Sequence, residues 1–122
     1  MSVQPQDLKL RTKAFALRVI KMYSALPKSD VVAQVLGKQA LRSGTSVGAN
    51  YRAACRAKST ADSLNKLKIV EEECDESIYW MELLIEAGLL PLRRLDALMH
   101  EADELLSIFV SAIKTTRSSR VA

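Results

Sequence analysis

Hydrophobic residues recur at three- and four-residue steps along almost the whole chain, and the breaks in that rhythm divide it into four stretches. The first starts after Asp7, which can cap exposed N–H groups, and carries the stripe Leu10, Ala14, Leu17 and Ile20, widened by Phe15, Val19 and Met22. It ends near Leu26-Pro27, because the residue before a proline is pushed out of helical geometry. Ser29 or Asp30 caps the second stretch, which runs to about Ala57 with Val32, Leu36, Ala40, Val47 and Ala54 on its apolar face. Ser59-Thr60-Ala61-Asp62-Ser63 opens the third, with a cap and an acid in the first turn. Leu64, Leu67, Val70, Cys74, Ile78, Met81 and Ile85 face inward along it, and Gly88 is placed to close it after Ala87. Pro91 suits the start of the fourth, whose stripe is Leu92, Leu95, Leu98, Ala102, Leu105, Phe109 and Ile113, with Met99, Leu106 and Ala112 beside it. The spacing therefore predicts helices over 7–26, 30–57, 60–87 and 91–115, and a frayed tail over 116–122. Short connections between long helices favour antiparallel neighbours, so the expected fold is all-α: one up-down-up-down antiparallel four-helix bundle over residues 1–122.

Two segments depart from a plain leucine-filled bundle. Gly37, Gly44 and Gly48 fall within the second helix, where each costs roughly 1 kcal/mol against alanine. Three such penalties in one helix point to a neighbouring backbone that comes very close, the alternative being a break near Gly44. Gln39, Arg42, Ser43, Ser46 and Asn50 on the second helix, and Glu72 and Glu76 on the third, recur at steps that bring each group onto a common face. They are expected to form a semi-buried polar layer in which Arg42 or Asn50 bonds a carboxylate. Such layers fix pairing and register more than they add stability.

Charge changes the picture more than composition does. The chain has 122 residues, is 48% hydrophobic and only 5% aromatic, and suits a folded helical protein. It has no apolar run long enough to span a membrane and no basic-then-apolar leader, so a cytoplasmic protein is expected. Cys55 and Cys74 lack metal or redox spacing and read as buried free thiols. Residues 1–70 hold 13 Lys/Arg against 3 Asp/Glu, whereas residues 71–104 hold 2 against 11. Lys9, Lys13, Arg18 and Lys21 on the first helix, with Lys38, Arg52, Arg56 and Lys58 on or just after the second, could form a strip for nucleic-acid phosphates. The same charges could instead stay solvated or meet the acidic third helix of another subunit. No helix-turn-helix, zinc-finger or RNA-recognition signature decides between these readings.

Catalytic readings fail on residue supply. A ferritin-like di-metal site needs two Glu-x-x-His pairs, but the only histidine is His100, and Ala97 stands where its glutamate should be. A zinc site from Cys55, Cys74 and His100 would need three distant ligands to converge. Gly44-Thr45-Ser46-Val47-Gly48 lacks the lysine and preceding strand of a phosphate loop, and one histidine leaves little scope for a triad. His100 reads as a boundary residue. The expectation is a protein that is not an enzyme and carries no cofactor or metal.

The run Gln39-Ala40-Leu41-Arg42-Ser43-Gly44-Thr45-Ser46-Val47-Gly48-Ala49-Asn50-Tyr51-Arg52 carries a further resemblance. It is shared by Lys66-Leu67-Lys68-Ile69-Val70-Glu71-Glu72 and Glu76-Ser77-Ile78-Tyr79-Trp80-Met81-Glu82-Leu83-Leu84. Together they resemble the bacterial four-helix-bundle family of 23S rRNA intervening-sequence proteins, which is similar to the accessory variability protein of diversity-generating retroelements. The resemblance spans about residues 8–113; Ala53 and Ser63-Leu64 depart from its pattern, which often has an acid and an aromatic there. It implies a bundle that assembles into a ring, typically a homopentamer, without catalytic residues. It also implies RNA or DNA as a partner through basic surface and, by the retroelement relative, a reverse transcriptase.

Overall fold

A computed structural model describes residues 4–121, and in it four helices follow one another: α1 (Pro5–Ser24), α2 (Val31–Cys55), α3 (Thr60–Glu86) and α4 (Leu92–Val121). Their ends have identifiable causes. Pro5 occupies the first turn of α1, where a missing N–H costs nothing, so α1 starts ahead of Asp7 and without a side-chain cap. Asp30 caps α2 by accepting from the Ala33 N–H. Ser59 does the same for α3 through Asp62, and the Asp62 carboxylate in turn accepts from the Lys58 N–H. Gly88 stops α3 with φ at 75°. The Leu89 N–H then reaches the Leu84 carbonyl and the Gly88 N–H reaches that of Ile85, a double closure that needs the left-handed residue. α4 continues through Thr115 to Val121, past the expected fraying point; residue 122 lies outside the described residues.

The helices pack as an up-down-up-down antiparallel four-helix bundle. Gly48 meets Thr12, Gly44 meets Val19 and Gly37 meets Tyr23 and Leu26, so α1 and α2 run in opposite directions at close range. A β-carbon on Gly44 would stand 2.8 Å from Val19 Cγ2, closer than two carbons can sit. The glycines are thus the close approach that their cost implies. α2 and α3 meet where the buried Ser77 hydroxyl shares its proton between the Glu73 carbonyl at 2.9 Å and Ser43 Oγ at 3.2 Å. Ser43 donates in turn to the Gln39 carbonyl. The Cys74 thiol donates across the α3–α4 seam to the Ala102 carbonyl at 3.3 Å. Arg11 closes the α1–α4 side with a two-pronged bond to Glu101, at 2.6 and 3.1 Å. Phe15, Val19, Val47, Val70, Met81, Leu84, Leu105 and Phe109 fill the middle, and the Tyr51 and Phe109 rings meet across it at 5.5 Å, tilted by 48°.

The inward face of α1 differs from the expected one. Leu8, Thr12, Phe15, Val19 and Met22 are buried, while Leu10 and Leu17 are each 58% exposed and Ile20 is 42% exposed. Helix α1 carries two apolar stripes, and the inward one is masked in the sequence by Thr12, whose hydroxyl is satisfied by the Leu8 and Lys9 carbonyls. On α2 the small residues Ala33, Gly37, Ala40 and Gly44 face the core and Val32 is exposed; on α4 Leu92 is exposed. Cys55 is exposed, not buried, at the last residue of α2, whereas Cys74 is buried. Burial pushes the Cys74 thiol up to about 12, with Asp75, Asp103 and Glu101 adding in the same direction.

Candidate nucleic-acid interface

Helix register decides which of the basic residues can act together. Because Gly48 lets α2 settle against Thr12, the outer edges of α1 and α2 leave an open groove of about 540 Å³ between them. Lys9 and Lys13 line it from α1 and Arg52 from α2, with Thr45, Leu10 and Ala49 between them. No carboxylate lines this groove, and among the described residues the acidic ion-pair partners are taken by Arg11, Arg42, Lys66 and His100. Three cations without acids in a concave strip give the groove a positive field, which attracts anions in general and is screened by salt.

The remaining basic candidates fall elsewhere. Arg56 and Lys58 are exposed just beyond α2, at the same end of the bundle as Arg52. Arg18 and Lys21 lie towards the opposite end, where they line a second groove of about 330 Å³ between α1 and α4, together with Arg94. Arg94 was masked in the sequence by its place in the acidic half of the chain. Lys38 stands exposed near the start of α2 and lines neither groove. The eight residues therefore do not form one strip: antiparallel packing separates Lys9, Lys13, Arg52, Arg56 and Lys58 from Arg18 and Lys21 across α1, and leaves Lys38 apart from both groups.

The polar set on α2 and α3 also divides. Ser43 is buried against Ser77, Ser46 donates to the Arg42 carbonyl, and Asn50 donates to the Ser46 carbonyl. Arg42 pairs with Glu76 and with Glu73, each at 2.9 Å, at the mouth of the seam. Gln39 and Glu72 point to solvent and take no part in the layer. One residue is a 100° turn on a helix, so Glu73 can reach the seam where Glu72 cannot. Ser77 was the missed buried member, and its spacing of three from Cys74 and four from Met81 was the available signal.

Other groups with chemical potential are quiet. His100 is exposed and 3.8 Å from Glu104, so it faces solvent instead of sitting at a boundary. Tyr51 is raised above its ordinary value by burial first and by the Cys55 thiol beside it. The Lys66 ammonium and the Lys58 N–H hold the Asp62 carboxyl below its usual range. Among the described residues no group of three or more His, Cys, Asp or Glu side chains converges as a metal site requires, and no helix is long and apolar enough to cross a membrane.

No curated protein matches the chain. Among solved structures, a protein of unknown function from the S23 ribosomal protein family of Bacteroides thetaiotaomicron is similar: it is 37% identical, with a TM-score of 0.79 over 87% of this chain and 97% of that one. The family described as 23S rRNA-intervening sequence protein matches residues 6–111, which include all of α2 and α3 and the groove between α1 and α2. On that match and that shared fold, the chain belongs to the family of 23S rRNA-intervening sequence proteins.

Proposed function

We propose that the protein is a non-enzymatic, ring-forming bundle, pentameric in keeping with its family resemblance, that holds nucleic acid by its phosphates through a basic surface. The observation that carries the reading is the groove between α1 and α2, where Lys9, Lys13 and Arg52 converge with no acid among them. A backbone contact of this kind needs charge and a path but no base-reading side chain, so it is weakly sequence-specific. Self-association is supported by the outward face of α1, where Leu10, Leu17 and Ile20 form an exposed apolar strip beside Lys13 and Lys21. The outward face of α3 offers the complement, with exposed Ile69 and Tyr79 beside Glu72. A contact between two different faces of the same chain is heterologous and generates a ring when its rotation closes.

The rival reading is a protein–protein scaffold in which the basic charges of α1 seal the oligomer or meet an acidic protein. It draws on the same strip, since Leu10 lies both on that strip and in the groove. Fluorescence anisotropy with RNA and DNA oligonucleotides across a salt series, with light scattering in the same buffers, separates the two. A nucleic-acid binder keeps its mass and loses only its ligand as salt rises. Three phosphate contacts give a slope of log K against log salt of about −2 on a single strand. An absence of binding at low salt, together with an assembly that falls apart in high salt, leaves the scaffold.

A further inference from the structure

The division of charge into a basic half and an acidic half of the sequence is not the division in space. Thr12 stands level with Gly48, Tyr51 with Phe109, and Lys68 with Lys114. The start of α1, the end of α2, the start of α3 and the end of α4 therefore share one end of the bundle. Six exposed cations collect there: Arg52, Arg56 and Lys58 from α2 and its exit, Lys68 from α3, and Lys114 and Arg117 from α4. None of the six side chains forms an ion pair among the described residues. Lys68, Lys114 and Arg117 frame a groove of about 390 Å³ between α3 and α4, which Glu71 and Glu72 also line. Besides Glu71 and Glu72 at the inner edge of that groove, the carboxylates of this end are Asp7 and Asp62, and Asp62 is occupied by Lys66 and the Lys58 N–H.

Further along the axis the sign reverses. Glu71 to Glu73, Asp75 and Glu76 on α3, with Glu101, Asp103 and Glu104 on α4, form an acidic belt across the middle of these two helices, Glu73 and Glu76 turned to Arg42 of α2 and Glu101 to Arg11 of α1. A polyanion is repelled from that belt and attracted to the end above it. Of the apolar strip of α1 only Leu10 reaches the α1–α2 groove, so Arg56, Lys58, Lys114 and Arg117 stay open when that flank is used for assembly.

Resting on the nucleic-acid reading above, we propose that this cationic end of the bundle is the surface that meets a nucleic-acid backbone, which crosses it from the α1–α2 groove to Lys68, Lys114 and Arg117. In a cyclic assembly every copy turns the same end to the same side, so these caps join into one basic rim. The end of α4, beyond the acidic stretch 71–104, thereby contributes phosphate contacts through Lys114 and Arg117.

The test compares two charge reversals in the full chain by anisotropy with single-stranded RNA and duplex DNA across a salt series. One combines Lys68→Glu, Lys114→Glu and Arg117→Glu; the other combines Lys28→Glu and Lys38→Glu, both exposed towards the far end. Circular dichroism and light scattering accompany both, and Lys114→Gln with Arg117→Gln serves if the triple reversal fails to fold. The cap variant is expected to lose at least tenfold in affinity, with the single-strand salt slope shallower by about 2 for three lost contacts. The far-end variant is expected to bind as the unaltered protein does. A folded cap variant with unchanged affinity and slope, or a far-end variant that loses as much, overturns the placement and leaves the nucleic-acid reading standing. If the unaltered protein binds neither nucleic acid at low salt, both fall together.

Discussion

Replacing Gly44 by alanine is expected to destabilise the bundle, although alanine is the better helix former. On propensity alone the change should gain about 1 kcal/mol. The added methyl, however, would stand 2.8 and 2.9 Å from the two γ-carbons of Val19 and 3.2 Å from its β-carbon. Val19 is fully buried and β-branched, so it has neither a flexible end nor a free rotamer with which to yield. Overpacking of this kind costs about 1–3 kcal/mol, and contact with three atoms of one stiff side chain points to the upper part of that range. The expected net loss is about 1–2 kcal/mol. Val19→Ala alone should cost about 2 kcal/mol through lost burial and the space left behind. In that background Gly44→Ala no longer clashes and partly refills the space, so it should stabilise by about 1 kcal/mol. The two changes are thus coupled by about 2–3 kcal/mol. Urea unfolding followed by the helical circular dichroism signal, at one fixed protein concentration, measures all four corners of the cycle. A Gly44→Ala protein more stable than the parent, or an equal Gly44→Ala effect in both backgrounds, would refute the close-approach reasoning.

Two further expectations concern buried polar groups. Ser43→Ala and Ser77→Ala should each cost about 1 kcal/mol, and the double change little more than either, because the Ser43–Ser77 bond can be lost only once; a denaturation cycle reporting full additivity would contradict the bond. The Cys74 thiol has its pKa raised from 9.0 to about 12 in the fold, so the unfolded chain ionises first. Its share of stability is complete below about pH 9 and declines towards pH 12, by up to about 1.4 kcal/mol per pH unit. That part of the alkaline loss should be absent in Cys74→Ala. A thiol reagent at neutral pH should label Cys55 at once and Cys74 only on unfolding.

Much of the architecture could be read from the sequence because its signals are local. Asp30 and Ser59 act as caps through hydrogen bonds within three residues, and Gly88 closes α3 with two bonds inside one turn. The phase of α1 was not legible, because Leu10, Leu17 and Ile20 make as good a stripe as Leu8, Phe15 and Val19. Only the positions of α2 and α4 decide which stripe is covered. The basic surface was half legible for the same reason. Lys9, Lys13 and Arg52 share a groove because of a seam set by Gly48, a fact about two helices and not about one. Lys114 and Arg117 lie 56 or more residues from Lys58 in sequence, and chain reversal alone brings them to the same end. That nearness escapes any reading that sums charge along the chain.

The single tryptophan of the chain gives the molecule its own optical gauge. Trp80 sits half-buried on α3, edge-on to the exposed Tyr79 at 5.1 Å, and its indole N–H is buried without a hydrogen-bond partner. It lies well below the cationic end and on the helix whose outward face would receive another copy. Its emission colour and its access to a soluble quencher therefore register what covers that flank and are blind to what crosses the end. Assembly and polyanion loading can be followed separately in one unlabelled sample, the first by tryptophan fluorescence and the second by a dye on the oligonucleotide.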